Sequence, residues 1–255
     1  MKWLWLLLLP LTLVASPARE ASRALLSHLA LKGHERVLDL GCGDGSLTAE
    51  IAGQVPEGFV LGLDREAAMI RFAEQAYDPE LIANLQFQRG DALSLEYQEK
   101  FDVACLLDSL QWIEHQQGAL ARVAKGLKQG GRLCLVVPLE SELDRTVAQV
   151  MEDKRWRKAV AEMERPRLTP ADKVVELVRE AGLAPIHVET EGNPVCFPSQ
   201  GELASWLADH LPEALAIAGD QRIVFLKEVT EAYLKRCGER LCVERPTLSL
   251  VAVKR

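Results

Sequence analysis

The chain has 255 residues, of which 48% are hydrophobic and 26% charged. That is ordinary globular composition, and it excludes a disordered chain, a collagen-like chain and a multi-span membrane protein. With 30 Lys and Arg against 37 Asp and Glu, the net charge is −7. This argues against sequence-independent nucleic-acid binding, which needs basic patches to displace phosphate counterions.

The chain opens Met1-Lys2, runs almost wholly apolar from Trp3 to Ala15, and continues Ser16-Pro17-Ala18. A positive start, an apolar stretch and a small-x-small end match a secretory signal peptide over residues 1–18, with cleavage after Ala18. The run is shorter than the roughly 20 residues of a membrane span, and Pro10 interrupts it. Three readings stay open: export, an uncleaved anchor with membrane contact through residues 3–15, and a cytosolic protein whose start is placed upstream of the real one.

From Ala21 onward, strand-like runs alternate with helical patterns. A helix over Ala21 to Leu31 precedes a strand, Arg36 to Leu40, that ends in a glycine cluster. Ser46 to Gln54 reads as a helix, Phe59 to Leu63 as a strand, Glu66 to Ala76 as a helix and Leu85 to Gln88 as a third strand. Phe101 to Leu107 is a fourth strand, followed by a helix through about Leu127. Gly130-Gly131 then turns the chain into a fifth strand, Arg132 to Val137. The rhythm implies an α/β fold with a parallel sheet and helices on both faces. Beyond it, Ser141 to Glu164 and residues 199–236 read as helical, Ala171 to Ala181 as a helix, Ile186 to Thr190 as a sixth strand and Leu248 to Val253 as a closing strand. The core is expected at about 21–138, within one domain over 19–255. Insertions at about 140–170 and 192–243 of this kind usually roof the site of an open sheet.

Six cysteines are too few for a disulfide-built scaffold. Cys42, Cys105 and Cys134 fall in or beside apolar runs and read as free buried thiols. Cys237 and Cys242 are close enough in sequence to pair.

The central signal is Asp39-Leu40-Gly41-Cys42-Gly43-Asp44-Gly45, a strand that runs through three alternate glycines into a helix. Glycine allows a sharp turn and a close backbone approach to a ligand, and the helix start supplies free N–H donors. The spacing departs from the Gly-x-Gly-x-x-Gly of dinucleotide sites. Asp39 and Asp44 would repel a pyrophosphate and favour a ligand with an amino group. That points to S-adenosylmethionine, which carries a sulfonium and an α-ammonium. Asp64, ending the second strand beside Arg65, can accept from both ribose hydroxyls. Asp91 in Gly90-Asp91-Ala92 can accept from an adenine amino group, or simply cap the next turn.

From Val37 to Pro138 the chain resembles the core of class I S-adenosylmethionine-dependent methyltransferases. The resemblance rests on the glycine loop, the Asp at the end of the second strand, Gly-Asp-Ala, and Leu-Lys-Gln-Gly-Gly-Arg-Leu at 127–133. Leu110-Gln111-Trp112 and Ala119-Leu120 narrow it to the trans-aconitate and juvenile-hormone-acid methyltransferases, and more loosely to the malonyl-carrier-protein methyltransferase. It implies a Rossmann-like seven-stranded sheet, mostly parallel with an antiparallel C-terminal strand and helical cap insertions. It also implies a cofactor set of Asp39, Gly41, Cys42, Gly43, Gly45, Asp64, Arg65, Asp91, Ala92 and Asp108. Asp108 stands where many relatives have Asn, near the methionine amino group. Gln111 and Trp112 would face the transferred methyl. His115, three residues past Trp112 and read as sharing its helix face, can bind a substrate carboxylate. The five histidines show no metal-ligand spacing. Relatives carry substrate-lid residues where residues 3–15 stand here. The expected substrate is a small carboxylic acid, with Arg145, Arg165 and Arg167 as candidate cations. An NAD-type oxidoreductase and a non-catalytic protein that keeps the fold remain as alternatives.

Overall fold

The computed structural model describes Pro17 to Arg255 except Pro79, Glu162, Asn193 and Glu239. The expected signal segment therefore lies almost wholly outside the described residues. Its last two positions begin the first helix, α1 (Pro17–His28), where Ala18 is buried and its carbonyl accepts from the Ser22 hydroxyl.

Five strands follow in the anticipated order: β1 (Arg36–Leu40), β2 (Phe59–Asp64), β3 (Leu85–Arg89), β4 (Phe101–Leu107) and β5 (Leu127–Pro138). Helices α2 (Ser46–Gln54), α3 (Ala67–Ala76) and α4 (Gln116–Gly126) connect them. β6 (Leu183–Glu191) and the last strand, residues Thr247–Lys254, complete a seven-stranded sheet of spatial order β3-β2-β1-β4-β5-last-β6. The last strand is antiparallel to both of its neighbours, and every other pairing in this sheet is parallel.

Period-two alternation explains why the central strands carry apolar residues at adjacent positions. Leu38, Leu40, Leu61, Leu63, Ala104 and Leu106 face one core, while Val37, Val60, Val103, Cys105 and Leu107 face the other. A parallel sheet covered on both faces needs both sets. α7, over Ala171–Glu180, closes the first face with Val174 and Val178, and α1 closes the second with Leu25 and Leu26.

The fifth strand begins earlier than its sequence suggests. Leu127 pairs with Phe101, the chain then bulges out over residues 128–131 with Gly130 at φ 73°, and regular pairing resumes at Arg132 opposite Val103, so Gly130-Gly131 is the expected turn, set within the strand.

The chain divides into two compact units. Of the described residues, one unit holds the seven-stranded sheet, with residues 17–139, Arg167–Glu191 and Thr247–Arg255; the other holds Glu140–Pro166 and Gly192–Pro246. The second unit contains α5 (Glu142–Val150), α6 (Lys154–Ala159), α8 (Gln200–His210), α9 (Pro212–Ala216) and α10 (Asp220–Cys237). A capping box between Ser141 and Asp144 starts α5, and Asp153 and Ser199 cap α6 and α8. Leu143, Leu203, Leu207, Phe225 and Val229 form its core. Three of the crossings between units, two leaving the sheet and one returning, fall at one row of residues: Pro138 pairs with Thr247, and Thr247 with Glu191.

The cysteine pairing differs from the expectation. Cys242 bonds Cys196, its register partner across a two-stranded sheet of Val195–Cys196 and Cys242–Val243, and Cys237 is a free thiol on α10. Cross-strand pairing brings 196 and 242 together, whereas Cys237 ends a helix that points its chain away through Gly238. Among the described residues no helix is long and apolar enough to cross a membrane.

The disulfide spans a sequence separation of 46 residues. Removing it with Cys196→Ser frees a loop whose closure is worth about 4 kcal/mol. The expected result is faster amide hydrogen exchange in α8 and α10 with unchanged protection in β1 and β4, read by mass spectrometry.

Candidate active site

The order β3-β2-β1-β4-β5 reverses direction between β1 and β4, and open α/β sheets bind ligands just beyond the strand ends at such a reversal. Here those ends are closed on each other. The Ser109 hydroxyl, just past β4, donates to the Leu40 carbonyl at 2.7 Å. A Cβ on Gly41 would collide with Ser109 Cβ, and Gly41 sits at φ 81°. Only glycine meets both conditions. Gly45 is constrained equally: it has φ 79° and caps α2, and a Cβ there would lie 2.7 Å from Phe87 Cζ and 2.8 Å from Ala73 Cβ. A Cβ on Gly43 would meet nothing within 4 Å, so that part of the loop borders open space.

The loop folds onto the end of β2. The Gly41 and Cys42 amides donate to the Leu63 carbonyl at 2.7 and 3.0 Å. The Gly43 amide donates to Asp64 Oδ2 at 3.0 Å, and the Glu66 amide to Asp64 Oδ1 at 2.8 Å. Asp64 therefore ties the glycine loop to the start of α3. An ionised carboxylate has roughly four acceptor positions, so this leaves lone pairs for a ligand. Arg65 lies 3.7 Å from Glu66, and its carbonyl accepts from Arg89. Cys42 is buried against the acids, and burial pushes its thiol well up.

Asp39 is 2% exposed and accepts from the Thr48 hydroxyl at 2.6 Å. Burial first, then the charges of Asp64 and Asp44, raise its carboxyl to about 6, although the Thr48 bond opposes the rise. Asp44 is held differently. It accepts from the Ser46 amide and hydroxyl, and Arg19 of α1 contacts both its oxygens at 3.2 and 3.3 Å. The charge expected from Asp44 is thus matched within the protein.

Asp108, by contrast, sits in the left-handed region at φ 61°, its amide donating to the Val136 carbonyl. Non-glycine residues there cluster at functional positions, and Asp tolerates the conformation better than most. Burial raises its carboxyl to about 6 against a Gln111 hydrogen bond and the Arg19 charge, both of which lower it. Gln111 Nε2 donates to the Asp108 carbonyl at 2.9 Å and to its Oδ1 at 2.7 Å. Gln111 is 2% exposed, and its Oε1 has no hydrogen-bond partner in the protein. A buried acceptor without a donor is costly and marks a place where a ligand group completes the bonding.

Asp91 caps the short 3-10 turn Ala92–Ser94, its Oδ1 accepting from the Leu93 amide at 2.7 Å; Ala92 is buried. Trp112 lies in another 3-10 turn, Leu110–Trp112, and is 41% exposed. His115 does not share its helix face. Ile113 is extended, so the turn ends there and His115 only caps α4. His115 instead borders an open cavity of about 490 Å³ with Gln117, Arg167 and Lys173. The Arg167 amide donates to the Gln111 carbonyl at 2.7 Å, and its side chain reaches Glu114.

Sequence reasoning missed Arg19, Thr48 and Ser109. Ser109 carries a signal, since it follows the strand-end Asp108 as Gly41 follows β1. Arg19 adjoins a segment read as a leader.

The pattern of a family described as a methyltransferase domain matches residues 31–194. The chain belongs to the class I S-adenosylmethionine-dependent methyltransferases. It is 32% identical over 200 residues to a trans-aconitate 2-methyltransferase of Deinococcus radiodurans, covering 75% of this chain and 73% of that one. It is 26% identical to another of that name from an Acidovorax species, covering 89% and 90%. Its fold is like that of the YcgJ protein from Bacillus (TM-score 0.69, 19% identity, 93% and 99% covered). It is also like that of a Haemonchus contortus phosphoethanolamine N-methyltransferase 2 in complex with S-adenosyl-L-methionine (TM-score 0.60, 19% identity, 92% and 52% covered). The cofactor of this methyltransferase is S-adenosylmethionine, and the orphaned Gln111 oxygen, the Asp108 carboxylate and the open glycine loop suit a cationic, amino-bearing ligand.

Two outcomes test this geometry. Gly41→Ala should preserve the circular dichroism spectrum and weaken binding of S-adenosylhomocysteine about 100-fold or more by calorimetry, since the β1 and β4 ends must part. For Asp39, the folded pKa of about 6 lies above the ordinary 3.8. A raised carboxyl stabilises the fold fully below 3.8, and that contribution is lost as pH rises through about 6. Asp39→Asn keeps an acceptor for Thr48 and should therefore gain about 2 kcal/mol over the native chain at pH 7.5, with little gain at pH 4, by urea unfolding.

Proposed function

We propose that this methyltransferase esterifies a carboxylate of a small organic acid. The observation that carries this reading is the likeness to a trans-aconitate 2-methyltransferase over three quarters of each chain, 75% and 73%. The chemistry of the site agrees with it. S-adenosylmethionine, when bound, supplies an electrophilic methyl group on a sulfonium sulfur. A carboxylate is already ionised at pH 7 and attacks without a base, so the protein's contribution is to position and desolvate.

In this reading Asp108 takes the ligand's ammonium and Gln111 Oε1 accepts a further donor beside it. The loop Asp39-Gly41-Cys42-Gly43-Gly45 lines the methionine end. Asp64 takes the ribose hydroxyls with the lone pairs its backbone bonds leave open, flanked by Arg65, and Asp91 with Ala92 meets the adenine. Gln111 and Trp112 face the transferred methyl, and exposed Trp112 supplies an apolar wall that excludes water from the acceptor. His115 is a candidate for the acceptor carboxylate, although it stands at the cap of α4.

The three arginines considered for a polyacid each face a carboxylate. Arg145 binds Glu140 and Glu142, Arg167 binds Glu114, and Arg165 acts on Glu213.

Incubation of the full chain with methyl-labelled cofactor and a panel of mono-, di- and tricarboxylic acids should give an alkali-labile labelled ester. Asp108→Asn should lower kcat/KM about 10- to 100-fold, the loss of a charge-assisted hydrogen bond to the cofactor. Cofactor binding with label in no acid across the panel would sink the carboxylate assignment.

A further inference from the structure

Four carboxylates gather at the ends of β1, β2 and β4: Asp39, Asp44, Asp64 and Asp108. The cation set among them comes from α1. Arg19 lies in the first turn of that helix, its side chain is 12% exposed, and its terminal nitrogen lies 3.2 Å and 3.3 Å from the two Asp44 oxygens. Asp44 also holds the Ser46 amide and hydroxyl at 3.0 and 2.8 Å. Arg19, Asp44 and Ser46 thus form a chain of contacts from α1 to the first residue of α2. The pair is largely withdrawn from water, where an ion pair acts more strongly than on an open surface.

We infer that Arg19 is a positioning residue of the cofactor site, tying α1 to the glycine loop through Asp44 and setting the charge that the loop and Asp108 together present to the ligand. The inference rests on the reading above in which Asp108 receives the cofactor's ammonium.

The charged groups around the site are few. On α1, Glu20 neighbours Arg19, and Arg23 is engaged with Glu50 of α2 at 2.7 Å while its charge also reaches Asp44. Asp39 of β1 is buried against Thr48, and Asp64 of β2 holds two amides. Of these groups, Arg19 is the one whose charge acts on Asp108, lowering a carboxyl that burial would otherwise push further up. Without it, Asp108 takes a proton at a higher pH and the ammonium loses its partner. The loop, no longer tied through Asp44, is also less ordered before the ligand arrives.

The experiment is calorimetric titration with S-adenosylhomocysteine between pH 5 and 8, using the full chain and the variants Arg19→Gln, Arg19→Lys and Asp44→Asn, each made in the native chain and in the Asp39→Asn background. Asp39 and Asp108 both stand near 6, so the Asp39→Asn background isolates the fall in affinity that accompanies protonation of Asp108. Arg19→Gln should bind about tenfold more weakly at pH 7.5 and show its acid fall about half a pH unit higher or more. Arg19→Lys should restore the position of the fall. If Arg19→Gln does not fold, Asp44→Asn serves. It leaves the guanidinium without its carboxylate partner and should move the acid fall to lower pH, a shift that mere loss of a tether does not produce. Affinity within twofold of native with an unmoved acid fall in Arg19→Gln, or an unmoved fall in Asp44→Asn, overturns the inference and leaves the methyltransferase reading standing. No binding by the native chain at any pH overturns the cofactor reading, and this inference with it.

Discussion

The tightest contact in the site sets the Gly41 backbone, leaving β1, against the Ser109 side chain, leaving β4. No side chain fits between them, and the Ser109 hydroxyl closes the gap to Leu40. Everything else follows from that contact. The glycine loop must bend toward β2 because β4 blocks the other side, so its amides meet Leu63 and Asp64. The chain after β4 must turn at Asp108 in a left-handed conformation, which puts Gln111 back over the Asp108 carboxylate. The strand reversal sets where a ligand can bind, and this one tight crossing sets which atoms face it.

Electrostatics at the crossing are handled by division. Four acids lie near one another, and each is held in its own way. Asp39 is sealed behind Thr48 and tends toward the neutral form; Asp44 is matched by a guanidinium; Asp64 is bound up with backbone amides; Asp108 stays buried with a single amide side chain beside it. Like charges so close would raise one another's affinity for protons. The arrangement concentrates unmet demand for a cation on Asp108 and unmet demand for a donor on Gln111. A ligand carrying an ammonium satisfies both.

The sequence made the strands and the loop legible because each leaves its mark in a run of adjacent residues. Buried parallel strands need apolar residues on both faces, and the turn after Leu40 admits only glycine at two of its positions. Features that depend on distant partners were not legible. Gly130-Gly131 turns the chain as its composition indicates, but the pairing of Leu127 with Phe101 ahead of that turn, which starts β5 five residues early, depends on a partner 26 residues away. Cys237 is nearer to Cys242 in sequence than Cys196 is, yet the strand pairing brings Cys196 to it. His115 follows Trp112 at helical spacing, but Ile113 breaks the turn. Arg19 stands beside an apolar run that resembles a leader, and its importance shows only when Asp44 is placed in space. The second unit, with ordinary caps and an ordinary core, carries no pattern that names a substrate.

Pro138, Thr247 and Glu191 stand side by side across three neighbouring strands, and there the chain departs from the sheet twice and returns to it once. Lengthening or exchanging the excursions between these residues shifts no register in the strands. An insertion into either excursion would therefore leave the pairing of the seven strands, and the loop that follows β1, as they stand.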